Sequence, residues 1–267
     1  MTRRIAIVTG AARGIGAATV AALAADGWSV VAVDRCADDP ALPYALATRA
    51  ELDAVVAAGN RAARAADAVR PVVADVRDVA ALRAAVDLAV ESFGGLDAAV
   101  AVAGVIAGGR PTWELTDAEV AAVLDVDLGG VVHLARAALP AILRRPVPRR
   151  GRFVAVASAA ATRGLPMLAV YGAAKAGVPG LVRGLAAELC GTGVTANAVS
   201  PGSTDTPILA ESARLYALEG AESFAVQQPL ERLIRPEEVA AAIRWLVSAE
   251  ADAVTGATLA VDGGLAL

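Results

Sequence analysis

Short apolar runs alternate with longer alanine-rich runs along this chain of 267 residues. The short runs are rich in β-branched residues and predict strands, whereas the longer runs have the apolar spacing of helices. The predicted strands are Arg4–Thr9, Ser29–Val33, Val72–Ala74, Ala98–Ala103, Arg152–Ala157, Val194–Val199 and Thr258–Val261. The predicted helices are Ala17–Asp26, Thr48–Ala68, Leu82–Phe93, Thr116–Leu139, Val170–Leu189 and Glu237–Ser248. This alternation predicts an α/β fold over residues 1–267, with one doubly wound parallel sheet covered by helices on both faces.

Two segments exceed what a minimal alternation needs. Residues 35–70 form a long link after the second strand, and Gly59 is expected to interrupt its helix. Residues 205–229 follow the sixth strand and are rich in small and apolar residues. A long loop at the carboxyl end of a strand is typical of a lid or a binding segment. Elsewhere, Pro179 is expected to kink its helix, because proline lacks an N–H donor.

Composition narrows the class of protein. The net charge of −4 gives no basic footprint for nucleic acid. No uncharged apolar run reaches 18 residues, and the N-terminus lacks the features of a signal peptide, so we expect no membrane span. The two cysteines form no disulfide framework, and no metal-ligand cluster is apparent. These features predict a soluble cytoplasmic protein without a metal.

A glycine-rich turn joins the first strand to the first helix. The segment Thr9–Gly16 contains Gly10, Gly14 and Gly16, with Arg13 and Ile15 between them. Glycines there allow a backbone to approach a pyrophosphate, and the helix N-terminus offers it free N–H groups. The segment predicts a dinucleotide site, and a turn without a ligand is the alternative.

Asp34 ends the second strand, eighteen residues after Gly16. A carboxylate at that place accepts hydrogen bonds from ribose hydroxyls and repels a 2′-phosphate, which favours NAD over NADP. Arg13 and Arg35 lie nearby and could hold a 2′-phosphate, so NADP stays open at this stage.

The only lysine in the chain, Lys175, follows Tyr171 by four residues, and Ser158 precedes that tyrosine by thirteen. Residues four apart share one side of a helix. An ammonium group lowers the pKa of a nearby tyrosine, which can then exchange a proton with a substrate oxygen. Ser158, at the end of the fifth strand, can hydrogen-bond the same oxygen. A surface tyrosine–lysine pair with an unrelated serine is the alternative.

These motifs resemble those of short-chain dehydrogenases/reductases over nearly the whole chain. Thr9–Gly16 matches the family's TGxxxGxG turn, and Tyr171–Lys175 matches its YxxxK motif. The resemblance implies a Rossmann-type fold, a homotetramer, and hydride transfer between NAD and a secondary alcohol or ketone. It also implies cofactor contacts from Asp75, Val76, Ala103, Gly104, Pro201, Gly202, Thr204 and Thr206, and from Tyr171 and Lys175 themselves.

The chain departs from the family pattern at two places. The family's Asn-Asn-Ala-Gly stretch reads Ala101-Val102-Ala103-Gly104. The family's fourth catalytic residue, an asparagine that helps to hold a water in the proton relay, aligns with Asp127. We therefore include Asp127 among the expected catalytic residues.

The insertion at residues 35–70 resembles that of the mycofactocin-coupled subfamily. In that subfamily NAD stays bound, and electrons leave to a peptide-derived redox cofactor. A surface flap without this role is the alternative.

The substrate is expected to be an apolar alcohol or ketone if the residues that flank the catalytic segments line its pocket. These residues are Trp113, Met167, Leu168, Ile208 and Leu209, and they could equally belong to the core. Two other functions stay open: an NADPH-dependent carbonyl or 3-ketoacyl reductase, and a non-catalytic nucleotide-binding regulator.

Overall fold

One parallel sheet of seven strands organises the computed structural model, which describes residues 3–267. The strands are β1 (Ile5–Thr9), β2 (Ser29–Asp34), β3 (Val69–Val73), β4 (Ala98–Ala101), β5 (Gly151–Val156), β6 (Val194–Pro201) and β7 (Thr258–Val261). Their order across the sheet is β3-β2-β1-β4-β5-β6-β7. The predicted fold class is confirmed.

Within residues 3–267, eight α-helices connect these strands. They are α1 (Gly14–Ala25), α2 (Arg49–Ala62), α3 (Val79–Phe93), α4 (Asp117–Leu124), α5 (Gly130–Leu143), α6 (Ala169–Glu188), α7 (Pro207–Leu215) and α8 (Pro236–Val247). Polar side chains fix several of their first turns. Thr48 and Thr116 each form a capping box, with Glu51 and Glu119 respectively, and Asp78 caps α3.

The alternating side chains of the strands build a core on each face of the sheet. In β1, Ile5 and Ile7 belong to the cluster that includes α3, α5 and α6. Ala6 and Val8 point the other way, into the cluster of α1, α2 and α8. All four side chains are buried, as expected for a central strand of a sheet covered on both sides.

The strand order reverses between β1 and β4, which pair directly. Connections leave these two strands toward opposite sides of the sheet and open a crevice at their carboxyl ends. Ligands of open α/β sheets bind in such crevices. The glycine turn after β1 therefore lies at the expected binding edge.

Three predictions around the long link were wrong in detail. Helix α2 ends at Ala62 instead of Ala68, and β3 begins at Val69 instead of Val72. Gly59 does not interrupt α2: an added Cβ there would lie 2.7 Å from Val69 Cγ2, so glycine lets the helix pack against β3.

The predicted helix over residues 116–139 is divided. A π-helical turn, Asp125–Gly129, separates α4 from α5, which continues past Pro140 to Leu143. Helix α6 likewise runs through Pro179. The whole stretch Asp117–Leu143 is long and apolar enough to cross a membrane by length and composition, but 61% of its apolar window is buried within the fold. It is a core element of this protein.

The prediction of a long loop after β6 was wrong. Residues 205–229 contain α7 and a 3-10 segment, Ala221–Gln227. The Thr206 side chain caps α7, and Pro207 occupies its first turn, where its missing N–H costs no hydrogen bond.

Candidate active site

A cavity of about 640 Å³ lies at the carboxyl ends of β1, β4 and β5. It brings together all of the residues predicted to bind the cofactor, together with Ser158. These are Gly10, Arg13, Gly14, Ile15, Gly16, Asp34, Arg35, Asp75, Val76, Ala103, Gly104, Tyr171, Lys175, Pro201, Gly202, Thr204 and Thr206. Asp127 is the one residue among the predicted catalytic and cofactor-binding residues that does not line the cavity.

The glycine turn is a cradle that side chains would fill. Gly10 and Gly14 have φ angles of +65° and +50°, which favour glycine. A Cβ on Gly16 would lie 1.9 Å from the Gly10 carbonyl oxygen. Helix α1 begins here with no side-chain cap and no acidic residue in its first turn, so its N–H groups face the cavity edge. This arrangement fits a pyrophosphate.

Asp34 lies at the end of β2, beside that turn. Its carboxylate accepts hydrogen bonds from the backbone N–H groups of Ala12 (3.0 Å) and Cys36 (3.3 Å), one on each oxygen. Each oxygen keeps a free lone pair. The group is therefore oriented by the backbone and can still accept bonds from two ribose hydroxyls.

The two nearby arginines are paired with carboxylates. Arg13 binds Glu51 through two hydrogen bonds of 2.8 Å, and this contact holds the pKa of Glu51 at about 2. Arg35 lies 2.6 Å from Asp39 and 3.3 Å from Asp75. These carboxylates neutralise both guanidinium groups, which weakens their attraction for a 2′-phosphate.

Helix α6 and the end of β5 present the side chains that the sequence predicts to be catalytic. Lys175 is 4% exposed, donates a hydrogen bond to the Val156 carbonyl (3.3 Å), and places Nζ 5.7 Å from the centre of the Tyr171 ring. Ser158 lies two residues after the end of β5, and its hydroxyl accepts a hydrogen bond from the Ala160 N–H. The predicted group of three thus converges on one wall of the cavity.

The pKa of Tyr171 reflects opposing influences. Burial raises it above its ordinary value, Lys175 opposes that rise, Asp127 adds to it, and a hydrogen bond with Ser158 opposes it. The net direction is upward, so Lys175 acts on the tyrosine as predicted but does not prevail here.

Asp127 lies in the π-helical turn, behind Lys175. Its Oδ1 is 3.2 Å from Lys175 Nζ and accepts a hydrogen bond from the Val105 N–H (3.1 Å). Its Oδ2 is buried without a partner. An added Cβ on Gly104 would lie 2.7 Å from Oδ1, so glycine allows this close packing. Its predicted catalytic role stays a prediction.

Residues 35–48, which we call the strap, are the part of the predicted cofactor-side insertion that borders the cavity. Within it, residues 44–47 line the cavity. The hydroxyl of the partly buried Tyr44 accepts a hydrogen bond from the Ile106 N–H (2.9 Å), across the crevice from β2. Arg13 also donates to the Ala45 carbonyl (3.2 Å). The sequence did not predict this contact of Tyr44 with Ile106; its only sign was that one of the three tyrosines lies in the insertion.

The other end of the cavity is mostly apolar. Leu168, Ile208 and Leu209 line it as predicted, whereas Trp113 and Met167 do not, and Trp113 is 84% exposed. Further lining residues that the sequence did not single out are Arg163, Leu165, Pro166, Tyr216, Leu218, Phe224 and Leu265. Arg163 is the charged side chain at this end, and it donates a hydrogen bond to the Leu265 carbonyl (2.8 Å).

Several known proteins are similar to this chain in sequence and in fold. Cis-4-hydroxycyclohexanecarboxylate dehydrogenase of Sinomonas cyclohexanicum is 41% identical, over 98% of this chain and 96% of its own. Cyclohexanol dehydrogenase of Acinetobacter sp. is 36% identical, over 97% and 94%. The crystal structure of carveol dehydrogenase from Mycobacterium avium in complex with NAD superimposes with a TM-score of 0.92, at 32% identity, over 99% of this chain and 98% of that one.

A family model described as enoyl-(acyl carrier protein) reductase matches residues 10–266. The match covers nearly the whole chain, including the glycine turn and the tyrosine–lysine pair. Together with the relatives above, it establishes that this chain belongs to the short-chain dehydrogenase/reductase family.

Proposed function

We propose that this protein is an NAD-dependent oxidoreductase that interconverts a secondary alcohol and its ketone. The observation that carries the proposal is one cavity with a phosphate cradle and Asp34 at one end and Ser158, Tyr171 and Lys175 beside its apolar part. Such a cavity can hold a dinucleotide and a small apolar molecule together. The intact catalytic group argues against a non-catalytic nucleotide-binding regulator.

The protein's own part in the reaction is binding and proton transfer. In alcohol oxidation, Tyr171 Oη accepts the hydroxyl proton while Ser158 holds the same oxygen by a hydrogen bond. The bond between carbinol carbon and hydrogen breaks, and the C=O bond forms. In ketone reduction Tyr171 returns the proton to the oxygen. When bound, the nicotinamide ring supplies the chemistry of accepting or giving the hydride.

NAD fits the cofactor end better than NADP. Asp34 would face the 2′ position, where its charge repels a phosphate. Arg13 and Arg35, which could have compensated, are paired with Glu51, Asp39 and Asp75. An NADPH-dependent carbonyl or 3-ketoacyl reductase is therefore the weaker candidate.

The substrate we infer is an alicyclic secondary alcohol or ketone. The relatives named above act, by name, on hydroxycyclohexanecarboxylate, cyclohexanol and carveol, all of which carry a hydroxyl on a six-membered ring. The apolar residues Leu168, Leu209 and Phe224 suit such a ring. Arg163 suits a carboxylate on its far side, because no carboxylate of the protein pairs with it in the part of the chain described, residues 3–267.

Substituting Arg163 tests this substrate class. We expect Arg163→Gln to lower kcat/KM for 4-hydroxycyclohexanecarboxylate by about 10- to 100-fold, the value of a hydrogen bond to a charged group, and to change cyclohexanol oxidation by less than about threefold. Arg183→Gln removes the same charge from an exposed position on α6 and should change neither. Equal effects on both alcohols would contradict the role of Arg163. No oxidation of either by the wild type would contradict the substrate class.

We further propose that NAD stays bound between turnovers and that mycofactocin, or a similar carrier, removes the electrons. The strap supports this, because it is attached to both sides of the cofactor crevice. Arg13 joins it to the glycine turn, and Tyr44 joins it to the loop after β4. Asp39, buried within it, pairs with Arg35 and Arg77. Release of the adenosine end then requires these contacts to open.

Retention can be measured on the purified protein. We expect about one NAD(H) per chain after denaturation, and Tyr44→Phe should speed NAD(H) release by about 3- to 10-fold, because it removes one hydrogen bond to Ile106. Tyr216→Phe is the matched control, since its hydroxyl bonds the Pro166 carbonyl, away from the strap. A protein that arrives empty and turns over freely with added NAD would refute retention.

We also propose that the protein acts as a cytoplasmic homotetramer with a small-molecule substrate. The family resemblance supports the assembly, and the exposed apolar side chains of Trp113, Val226 and Trp245 offer surface for contacts between copies. The two cysteines, Cys36 and Cys190, are unpaired, which suits a reducing compartment.

A further inference from the structure

Buried beneath the catalytic lysine is a carboxylate that the reaction described above does not use. Asp127 is fully buried, and the ammonium of Lys175 is its only charged partner among residues 3–267. It does not line the cavity, so it cannot touch a substrate or pass a proton to the solvent there. Any effect on the reaction must therefore be electrostatic, through Lys175 or directly on Tyr171.

The net charge of the Lys175–Asp127 pair is the same whichever of the two groups holds the proton they share. If Lys175 holds the proton, the two charges are +1 and −1, and if Asp127 holds it, both groups are neutral. The sum is zero in each case, whereas an amide at position 127 would leave the lysine with an unopposed positive charge. An ammonium alone stabilises a nearby phenolate far more than a neutral pair does.

We propose that Asp127 is a fixed counter-charge to Lys175 that keeps Tyr171 protonated at neutral pH and so moves alcohol oxidation to alkaline conditions. Asp127 is thus a positioning residue that sets the electrostatic state of Lys175. The inference rests on the proposed function, because it assumes that Tyr171 exchanges the substrate proton. It adds a property that the resemblance does not provide, since the family has an uncharged asparagine at this place.

Among residues 3–267, the only ion pair of Asp127 or Lys175 is the one that joins them. The polar groups that bond to Asp127, Lys175 or Tyr171 include the Val105 N–H, the Val156 carbonyl and the Ser158 hydroxyl, and the Tyr44 hydroxyl lies nearby. Burial raises the pKa of the Tyr44 hydroxyl, and the negative charges of Asp127 and of Glu211 in α7 raise it further, so Tyr44 stays neutral. Burial raises the pKa of Asp127 itself, with Lys175 and the Val105 N–H opposing. For Lys175, burial lowers the pKa, but Asp127 and Tyr171 raise it above its ordinary value.

The test compares Asp127→Asn with Asp125→Asn. Oxidation requires Tyr171 as the phenolate, so its rate rises through the tyrosine pKa, whereas reduction requires the protonated form and falls there. Removing the carboxylate lowers this pKa. In a plot of rate against pH, oxidation thus has a rising limb and reduction a falling limb. We expect Asp127→Asn to move both limbs to lower pH by at least about one unit, the effect of one nearby charge. Asp125 is exposed on the same turn, and its variant should leave both limbs in place.

Two readouts separate this role from the alternatives. A structural role would lower kcat/KM in both directions without moving the limbs, and a role as proton acceptor would slow oxidation or move its limb to higher pH. Either result would overturn the proposal. Near-ultraviolet phenolate absorbance, taken as the difference from Tyr171→Phe, gives the same shift without turnover, so it remains decisive even if no tested alcohol is oxidised.

Should Asp127→Asn not fold, the same absorbance of the wild-type protein can still overturn the proposal. The proposal expects Tyr171 to remain protonated at about pH 9, near the ordinary range of a tyrosine. A phenolate that forms below about pH 8 would overturn it, because an effective counter-charge prevents early ionisation.

Discussion

Tyr171→Phe will lower kcat for alcohol oxidation by about 10³-fold, in the middle of the range for loss of a general acid–base group. The variant keeps the ring that packs beside Lys175 and removes only the hydroxyl that carries the proton. The amount of bound NAD should stay near the wild-type value, because the glycine turn and Asp34, at the other end of the cavity, are unchanged. Steady-state kinetics and nucleotide analysis of the same preparation measure both.

A second tyrosine provides the control. Tyr216 lines the apolar end of the cavity, but its hydroxyl bonds the Pro166 carbonyl at 2.6 Å, so Tyr216→Phe should change kcat by less than about threefold, the effect of one weak hydrogen bond. If Tyr171→Phe kept more than a tenth of the wild-type kcat, another group would have to carry the proton, and the assignment of the catalytic tyrosine would fail.

Gly16→Ala will abolish cofactor binding. Its Cβ would lie 1.9 Å from the oxygen and 2.7 Å from the carbon of the Gly10 carbonyl, distances that no side-chain rotation can relieve. The turn and the start of α1 must therefore separate, which removes the N–H groups from the pyrophosphate position. We expect purified Gly16→Ala to contain less than about a tenth of the wild-type nucleotide and to have a lower Tm.

Gly184→Ala shows what the same change does without a clash. Gly184 lies inside α6, and an added Cβ meets no atom within 4 Å. Alanine is favoured over glycine in a helix by roughly 0.5–1 kcal/mol, so Tm should hold or rise slightly. Wild-type nucleotide content in Gly16→Ala would show that the turn is not the phosphate site.

The sequence predicted best those features that depend on local pattern. The glycine turn, the end of β2 and the Tyr171–Lys175 pair each follow from neighbouring residues, and the structure brings them to one cavity. Proline positions were less informative. Pro71 lies within β3, because an edge strand tolerates a missing N–H. Helix α5 continues past Pro140 to Leu143, whereas the sequence predicted that it ends at Leu139.

The remaining features depend on contacts between distant segments. The π-helical turn that brings Asp127 to Lys175 has no local signature beyond two adjacent glycines, Gly129 and Gly130. The bond from the Ile106 N–H to Tyr44 joins residues 62 positions apart. Neither could be derived from spacing, because each requires the three-dimensional path of the chain.

Hydride transfer to the protein's own cofactor is the most direct test of the central claim. The purified protein is mixed with cyclohexanol deuterated at its carbinol carbon, for a single turnover, and the cofactor is then released and weighed by mass spectrometry. We predict reduced NAD that carries one deuterium, formed at once by the wild type and about 10³-fold more slowly by Tyr171→Phe. Reduced cofactor without deuterium, or equal rates in the two proteins, would contradict an alcohol dehydrogenase that works through Tyr171.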